Sequence, residues 1–130
     1  MTPRTVLIAD DDLGLLAAMR VRLESEGFTV ISTQDAYQAV EQARKSLPDL
    51  LILDINMPAG SGFSVQQRLD NIPELADTPV IYITGEDPDQ VDSIAERFGA
   101  FAVLHKPFET TTLIETSKKA VAASPWVIER

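Results

Sequence analysis

Three carboxylates, Asp10, Asp11 and Asp12, follow directly on an apolar run, Thr5-Val-Leu-Ile-Ala9. A fourth, Asp54, ends a second run, Leu50-Leu-Ile-Leu53. A third run, Val80-Ile-Tyr-Ile83, leads to the hydroxyl of Thr84. The fourth, Phe101-Ala-Val-Leu-His105, leads to the ammonium of Lys106. Carboxylates are oxygen ligands, which a hard cation such as Mg²⁺ takes in near-octahedral geometry while keeping several waters. Asp10, Asp11 and Asp54, with backbone carbonyls, would supply the protein's share. Clustered carboxylates repel one another in the absence of a cation and some of their pKa values rise, so the clustering itself points to metal. One carboxylate can also attack a phosphoryl group and form an aspartyl-phosphate. The Lys106 ammonium would then neutralise the equatorial oxygens, and Thr84 would donate a hydrogen bond to the same group.

This chemistry requires four segments to end in one place. Unbroken apolar runs of this length, separated by helical stretches, read as buried parallel strands. In an open parallel sheet the ligand site lies beyond the carboxyl ends of the strands, so all four ends face one crevice. Between them the helical period of Leu13, Leu16, Ala17, Arg20 and Leu23 predicts a helix over 13–26, with Gly27 at its C-terminal cap. A strand is predicted over 28–32. A helix starts at Asp35 or a neighbour and stops before Pro48, which disfavours helix in the residue ahead of it. The loop containing Pro58, Gly60 and Gly62 leads to a helix over 63–71. Pro88 opens another, ending near Phe98-Gly99, and the last runs over 110–123. Five βα units of this size predict a doubly wound α/β sandwich: a five-stranded parallel sheet with right-handed crossovers and helices on both faces. Periodicity leaves the strand order open.

The chain has 130 residues, enough for one domain with a real core. It is expected to fill residues 1–123. Residues 124–130, broken from the last helix at Pro125, read as a tail or the start of a linker. The net charge is −9 and the isoelectric point about 4.4. So acidic a surface repels nucleic acid phosphates and anionic membranes. There is no cysteine, hence no disulfide framework and no thiolate chemistry, in keeping with a cytoplasmic setting. No apolar run approaches the ~18 residues of a membrane span.

At this point the residues match a family. The chain resembles the receiver domain of two-component response regulators over 4–123. The carriers are Asp10-Asp11, Asp54 in Asp54-Ile-Asn-Met-Pro58, Gly62 eight residues after it, Thr84-Gly85, and Lys106-Pro107-Phe108. The resemblance implies a flavodoxin-like strand order 2-1-3-4-5 and a cis Lys106–Pro107 peptide. It implies that Asp54 is the phosphoacceptor. Asp11, Asp54 and the Asn56 backbone carbonyl would hold Mg²⁺, with Asp10 acting mainly through water. Thr84 and Lys106 would contact the phosphoryl group. The implied partners are a sensor histidine kinase or histidine phosphotransfer protein, and an output protein. A phosphorylation-dependent dimer is a further form that the resemblance allows. Asn56 and Glu86 flank the water's approach to the phosphorus as polar side chains, which implies a short-lived phosphoryl group. One position departs from the pattern: three residues before the Lys, where members usually carry Tyr or Phe, stands Val103. Phe101 lies on the same side of the strand, but the role is not transferred to it.

Blander readings hold for some residues. Asp12 reads best as a helix cap. His105, the only histidine, reads as exposed and structural, and Trp126 as tail packing. Two other functions compete. Asp10-Asp11-Asp12 contains the Asp-x-Asp of haloacid-dehalogenase-like phosphatases, in which Asp10 would be the nucleophile. Such enzymes usually carry a cap and a late acidic motif, and this chain has only scattered Glu residues after Lys106. A non-phosphorylated interaction module is the other alternative, opposed by the intact acid set.

Overall fold

A computed structural model of the chain describes residues 3–123. Seven strands and five helices alternate through it: β1 (Thr5–Ala9), α1 (Leu13–Ser25), β2 (Thr29–Thr33), α2 (Ala36–Ser46), β3 (Leu50–Asp54), β4 (Asn56–Met57), β5 (Gly60–Ser61), α3 (Gly62–Asp70), β6 (Val80–Thr84), α4 (Pro88–Arg97), β7 (Ala102–His105) and α5 (Thr110–Ala123). Five strands form one parallel sheet in the order β2-β1-β3-β6-β7. This is the expected 2-1-3-4-5 order, with two strands outside the sheet added to the count. Those two, β4 and β5, form a small antiparallel ribbon that sequence patterning did not reveal. At two residues each they are too short to show a period.

Most helices start where a short polar side chain can accept from an unpaired amide. Asp12 caps α1 through Leu15 N, Asp35 caps α2 through Gln38 N, and Ser61 caps α3 through Ser64 N. Asp87 caps α4, with Pro88 in its first turn. Gly27, at φ +95°, takes the left-handed conformation just beyond the end of α1, as its position in the sequence implies.

Alternation along the strands divides the core in two. Val6, Ile8, Leu50, Ile52, Ile81, Ile83 and Leu104 pack under α1 and α5. Leu7, Leu51, Leu53, Val80 and Tyr82 pack under α2, α3 and α4. Both faces are covered, which is why the strands are apolar without alternation. The sheet strands run slightly later than predicted at β2, β3, β6 and β7. Asp54 and Thr84 are therefore the last residues of β3 and β6, still held in the ladder. Residues 124–130, with Trp126, lie outside the described residues.

Candidate functional site

Each functional side chain stands at the carboxyl end of a strand, and backbone pairing fixes it there. The Asp10 amide donates to the Thr33 carbonyl at 3.1 Å, which extends the β1–β2 ladder to the carboxylate. Asp10 is fully buried, and its Oδ1 accepts from the Asp12 amide at 2.9 Å. Asp54 is buried too, and its Oδ1 accepts from the Asn56 amide at 3.1 Å. Between the two carboxylates lies the Lys106 ammonium. It donates to Asp54 Oδ2 at 3.0 Å and sits 2.9 Å from Asp10 Oδ2. Burial disfavours this ammonium, but its contacts with Asp10 and Asp54 outweigh burial and raise its pKa above the usual lysine value. Burial raises the Asp54 pKa, the Asp10 charge adds to it, and the Lys106 hydrogen bond opposes the rise.

Asp11 is exposed at the rim. One carboxylate oxygen each from Asp10, Asp11 and Asp54 lie within 4.8 Å of one another. The donors are all hard oxygen atoms with a net negative charge, the set that suits Mg²⁺. Asp12 turns away to cap α1, as predicted.

Thr84 is fully buried. Its carbonyl accepts from the Lys106 amide at 2.7 Å, so β6 and β7 carry Thr84 and Lys106 together. Its hydroxyl accepts from the Glu86 amide at 2.9 Å, and thus shapes the loop into α4. Across the mouth the Asn56 side-chain amide donates to the Glu86 carboxylate. The Lys106–Pro107 peptide is cis, as the resemblance implies.

Gly62 begins α3 hard against the end of β3. A β-carbon there would lie 2.7 Å from the Asp54 carbonyl oxygen and 3.2 Å from the Tyr82 ring. The Gly62 amide also donates to the Ile55 carbonyl at 3.0 Å. Only glycine lets the helix start so close to the Asp54 backbone.

Two expectations change here, those for His105 and Phe101. His105 is half-buried rather than exposed, and its Nε2 meets Asp92 Oδ1 on α4 at 3.0 Å. Thr33 holds Asp10 through its backbone carbonyl, a role that any residue at that strand end could fill and that no motif marks, while its hydroxyl donates to the Ile8 carbonyl at 3.0 Å. Val103 is partly buried on the α2–α4 side of the sheet, beside Tyr82 in register. Phe101 precedes β7 and is 40% exposed, which leaves its ring outside the core.

The family model for the response regulator receiver domain matches residues 6–118, most of the chain. The chain belongs to the response regulator receiver domain family. The polar-differentiation response regulator DivK of Brucella anthropi is 31% identical over 116 residues, covering 89% of this receiver and 94% of DivK. The C4-dicarboxylate transport transcriptional regulatory protein DctD of Pseudomonas aeruginosa is 34% identical over 124 residues. The receiver spans only 26% of that longer protein. Among solved structures, the chemotaxis response regulator CheY4 of Vibrio cholerae superposes with a TM-score of 0.84 at 28% identity, covering 92% of this receiver and 99% of CheY4. A response regulator structure from Chloroflexus aurantiacus gives 0.87 at 29% identity, covering 93% and 99%. The receiver is thus a two-component signalling domain of the phosphoacceptor class. Among the described residues, no helix is long and apolar enough to cross a membrane.

Proposed function

We propose that Asp54 is the phosphoacceptor of this receiver, and that Lys106, Thr84 and a bound Mg²⁺ hold the phosphoryl group. The observation that carries this reading is the Lys106 ammonium between Asp10 and Asp54, at 2.9 and 3.0 Å. A cation so placed stands where phosphoryl oxygens need neutralising. Mg²⁺ would be held by Asp11, Asp54 and the Asn56 carbonyl, with Asp10 acting mainly through water, and when bound it supplies charge neutralisation.

The donor is a phosphohistidine on a sensor kinase or phosphotransfer protein. A carboxylate oxygen of Asp54 forms the new O–P bond while the P–N bond breaks. The imidazole leaves with the electron pair and takes up a proton. Lys106 exchanges one carboxylate contact for a phosphoryl oxygen. Thr84 turns its hydroxyl from the Glu86 amide to donate to the phosphoryl group, and so pulls on the loop into α4. Hydrolysis reverses the state when a water reaches the phosphorus in line. Asn56 and Glu86 flank that path as polar groups, so the phosphoryl group is short-lived.

The receiver catalyses only its own phosphorylation and dephosphorylation. Asp10 is a poor alternative nucleophile, since its side chain has no exposed surface while that of Asp54 keeps 7%. Residues 1–123 form the receiver and 124–130 a tail or linker. It works in the cytoplasm through protein contacts, by itself, as a phosphorylation-dependent dimer, or as part of a longer protein like its DctD relative. Incubation with acetyl phosphate tests this reading. Intact mass should rise by one phosphoryl group with Mg²⁺ and stay unchanged when EDTA removes the metal. Modification that ignores the metal would overturn it.

A further inference from the structure

The α4 helix is lightly held. Only Val91 and Ala95 are buried along it. Beside it a cleft of about 290 Å³, lined by Asp92, Glu96, Ala100, Ala102 and Val103, separates it from β7. Its C-terminal end is pinned: the Phe98 carbonyl accepts from the Gln66 side-chain amide at 2.6 Å, and Gln66 in turn accepts from the buried Tyr82 hydroxyl. Its N-terminal half has a different tie. Asp92 Oδ1 lies 3.0 Å from His105 Nε2. Among the described residues no other α4 side chain makes a polar contact of this kind with the sheet.

His105 is well placed to sense the site. It pairs in register with Thr84 across β6 and β7. The next residue, Lys106, donates its amide to the Thr84 carbonyl and its ammonium to Asp54. Three residues beyond Thr84, Asp87 caps α4. The helix that the Thr84 loop would drag is thus fastened to the strand that carries Lys106. With Val103 in β7, no aromatic ring on that strand fills the cleft and couples the two.

We propose that His105 and Asp92 form a strap that holds α4 against β7 in the resting receiver, and that His105 is a positioning residue which opposes phosphorylation until the strap yields. This rests on Asp54 phosphorylation as proposed above. The pinned Phe98 end serves as pivot, and the strapped end is the part that moves. A state that needs the strap open is disfavoured by the strap's free energy, so cutting it favours phosphorylation. Both partners are partly solvated, which limits the effect.

The test is a double-mutant cycle on Asp92→Ala, His105→Ala and the pair. It has two readouts: the acetyl phosphate phosphorylation rate with Mg²⁺, and amide exchange. Each single variant should speed phosphorylation by about two- to fivefold, the range available to a half-exposed pair. Each should raise exchange in residues 88–97 and leave α1 protected. The double variant should match a single one. Asp92 is surface-exposed, so Asp92→Ala keeps the test open if His105→Ala fails to fold. Wild-type rate and α4 exchange in Asp92→Ala, or single effects that multiply in the double variant, would overturn the strap. A wild-type receiver that takes no phosphoryl group would instead sink the phosphoacceptor reading, and the exchange arm would still judge the strap.

Discussion

The Lys106 ammonium lies 3.0 Å from Asp54 Oδ2, although 52 residues separate the two in sequence. The order of the sheet, not local chain geometry, brings them together, since β6 alone lies between β3 and β7. In the resting receiver this one ammonium contacts two buried carboxylates and offsets part of their charge.

Lys106→Met should therefore act on stability as well as on chemistry. Breaking a buried ion pair costs about 3–5 kcal/mol. The Lys106 side chain is 26% exposed. Solvent screening lowers the expected loss to about 1–3 kcal/mol. Urea titration without Mg²⁺ should show that loss, and added Mg²⁺ should recover part of it by binding the native state. A wild-type midpoint in metal-free buffer would contradict the charge-neutralising role.

Gly62→Ala should strike the end of β3 from behind. Its β-carbon meets backbone at 2.7 Å, which a rotamer change cannot relieve. Overpacking of this kind costs about 1–3 kcal/mol. Phosphorylation should slow as well, because the displaced group is the Asp54 backbone itself. Denaturant midpoints and acetyl phosphate kinetics measure the two effects. A lowered midpoint with an unchanged rate would restrict Gly62 to packing.

Much of this site was legible from strand ends alone. Asp10, Asp54, Thr84 and Lys106 each close an apolar run, and parallel strands must deliver such ends to one edge of the sheet. Asp12 as a cap followed from its place before a helical period. The ribbon of β4 and β5 was not legible, because Asn56, Met57, Gly60 and Ser61 form pairs too short to carry a pattern. In sequence His105 reads as exposed for a related reason. Its partner Asp92 is an ordinary helix-surface acid in sequence, and only the packing of α4 on β7 joins them. Strand boundaries slipped by a residue at Asp54 and Thr84, where polar side chains end the apolar signal before the ladder ends.

Asn56→Met should lengthen the life of the phosphorylated receiver. The Asn56 amide bonds to Glu86 across the mouth, and a polar pair leaves room for an in-line water. Methionine lacks the amide and puts apolar bulk on that path. Decay of the phosphorylated species, followed by intact mass after removal of acetyl phosphate, should slow by about tenfold, or ~1.4 kcal/mol in the barrier. Equal lifetimes would remove the water-access account.

Mg²⁺ should raise the melting temperature of the unphosphorylated receiver, and the rise should grow with the logarithm of its excess over Kd. Asp11→Ala should abolish the rise with little change in the metal-free melting temperature, since Asp11 is exposed and Asp10 and Asp54 keep Lys106. A rise that survives in Asp11→Ala would place the cation elsewhere.

The most direct measurement is the position of the phosphoryl group. Wild-type, Asp54→Asn and Asp10→Asn proteins are incubated with acetyl phosphate and Mg²⁺, and the acid-labile adduct is followed by intact mass and mapped by peptide. The adduct should map to Asp54 in the wild type, disappear in Asp54→Asn, and persist in Asp10→Asn at a lower rate. An adduct on Asp10, or one that survives in Asp54→Asn, would contradict the account.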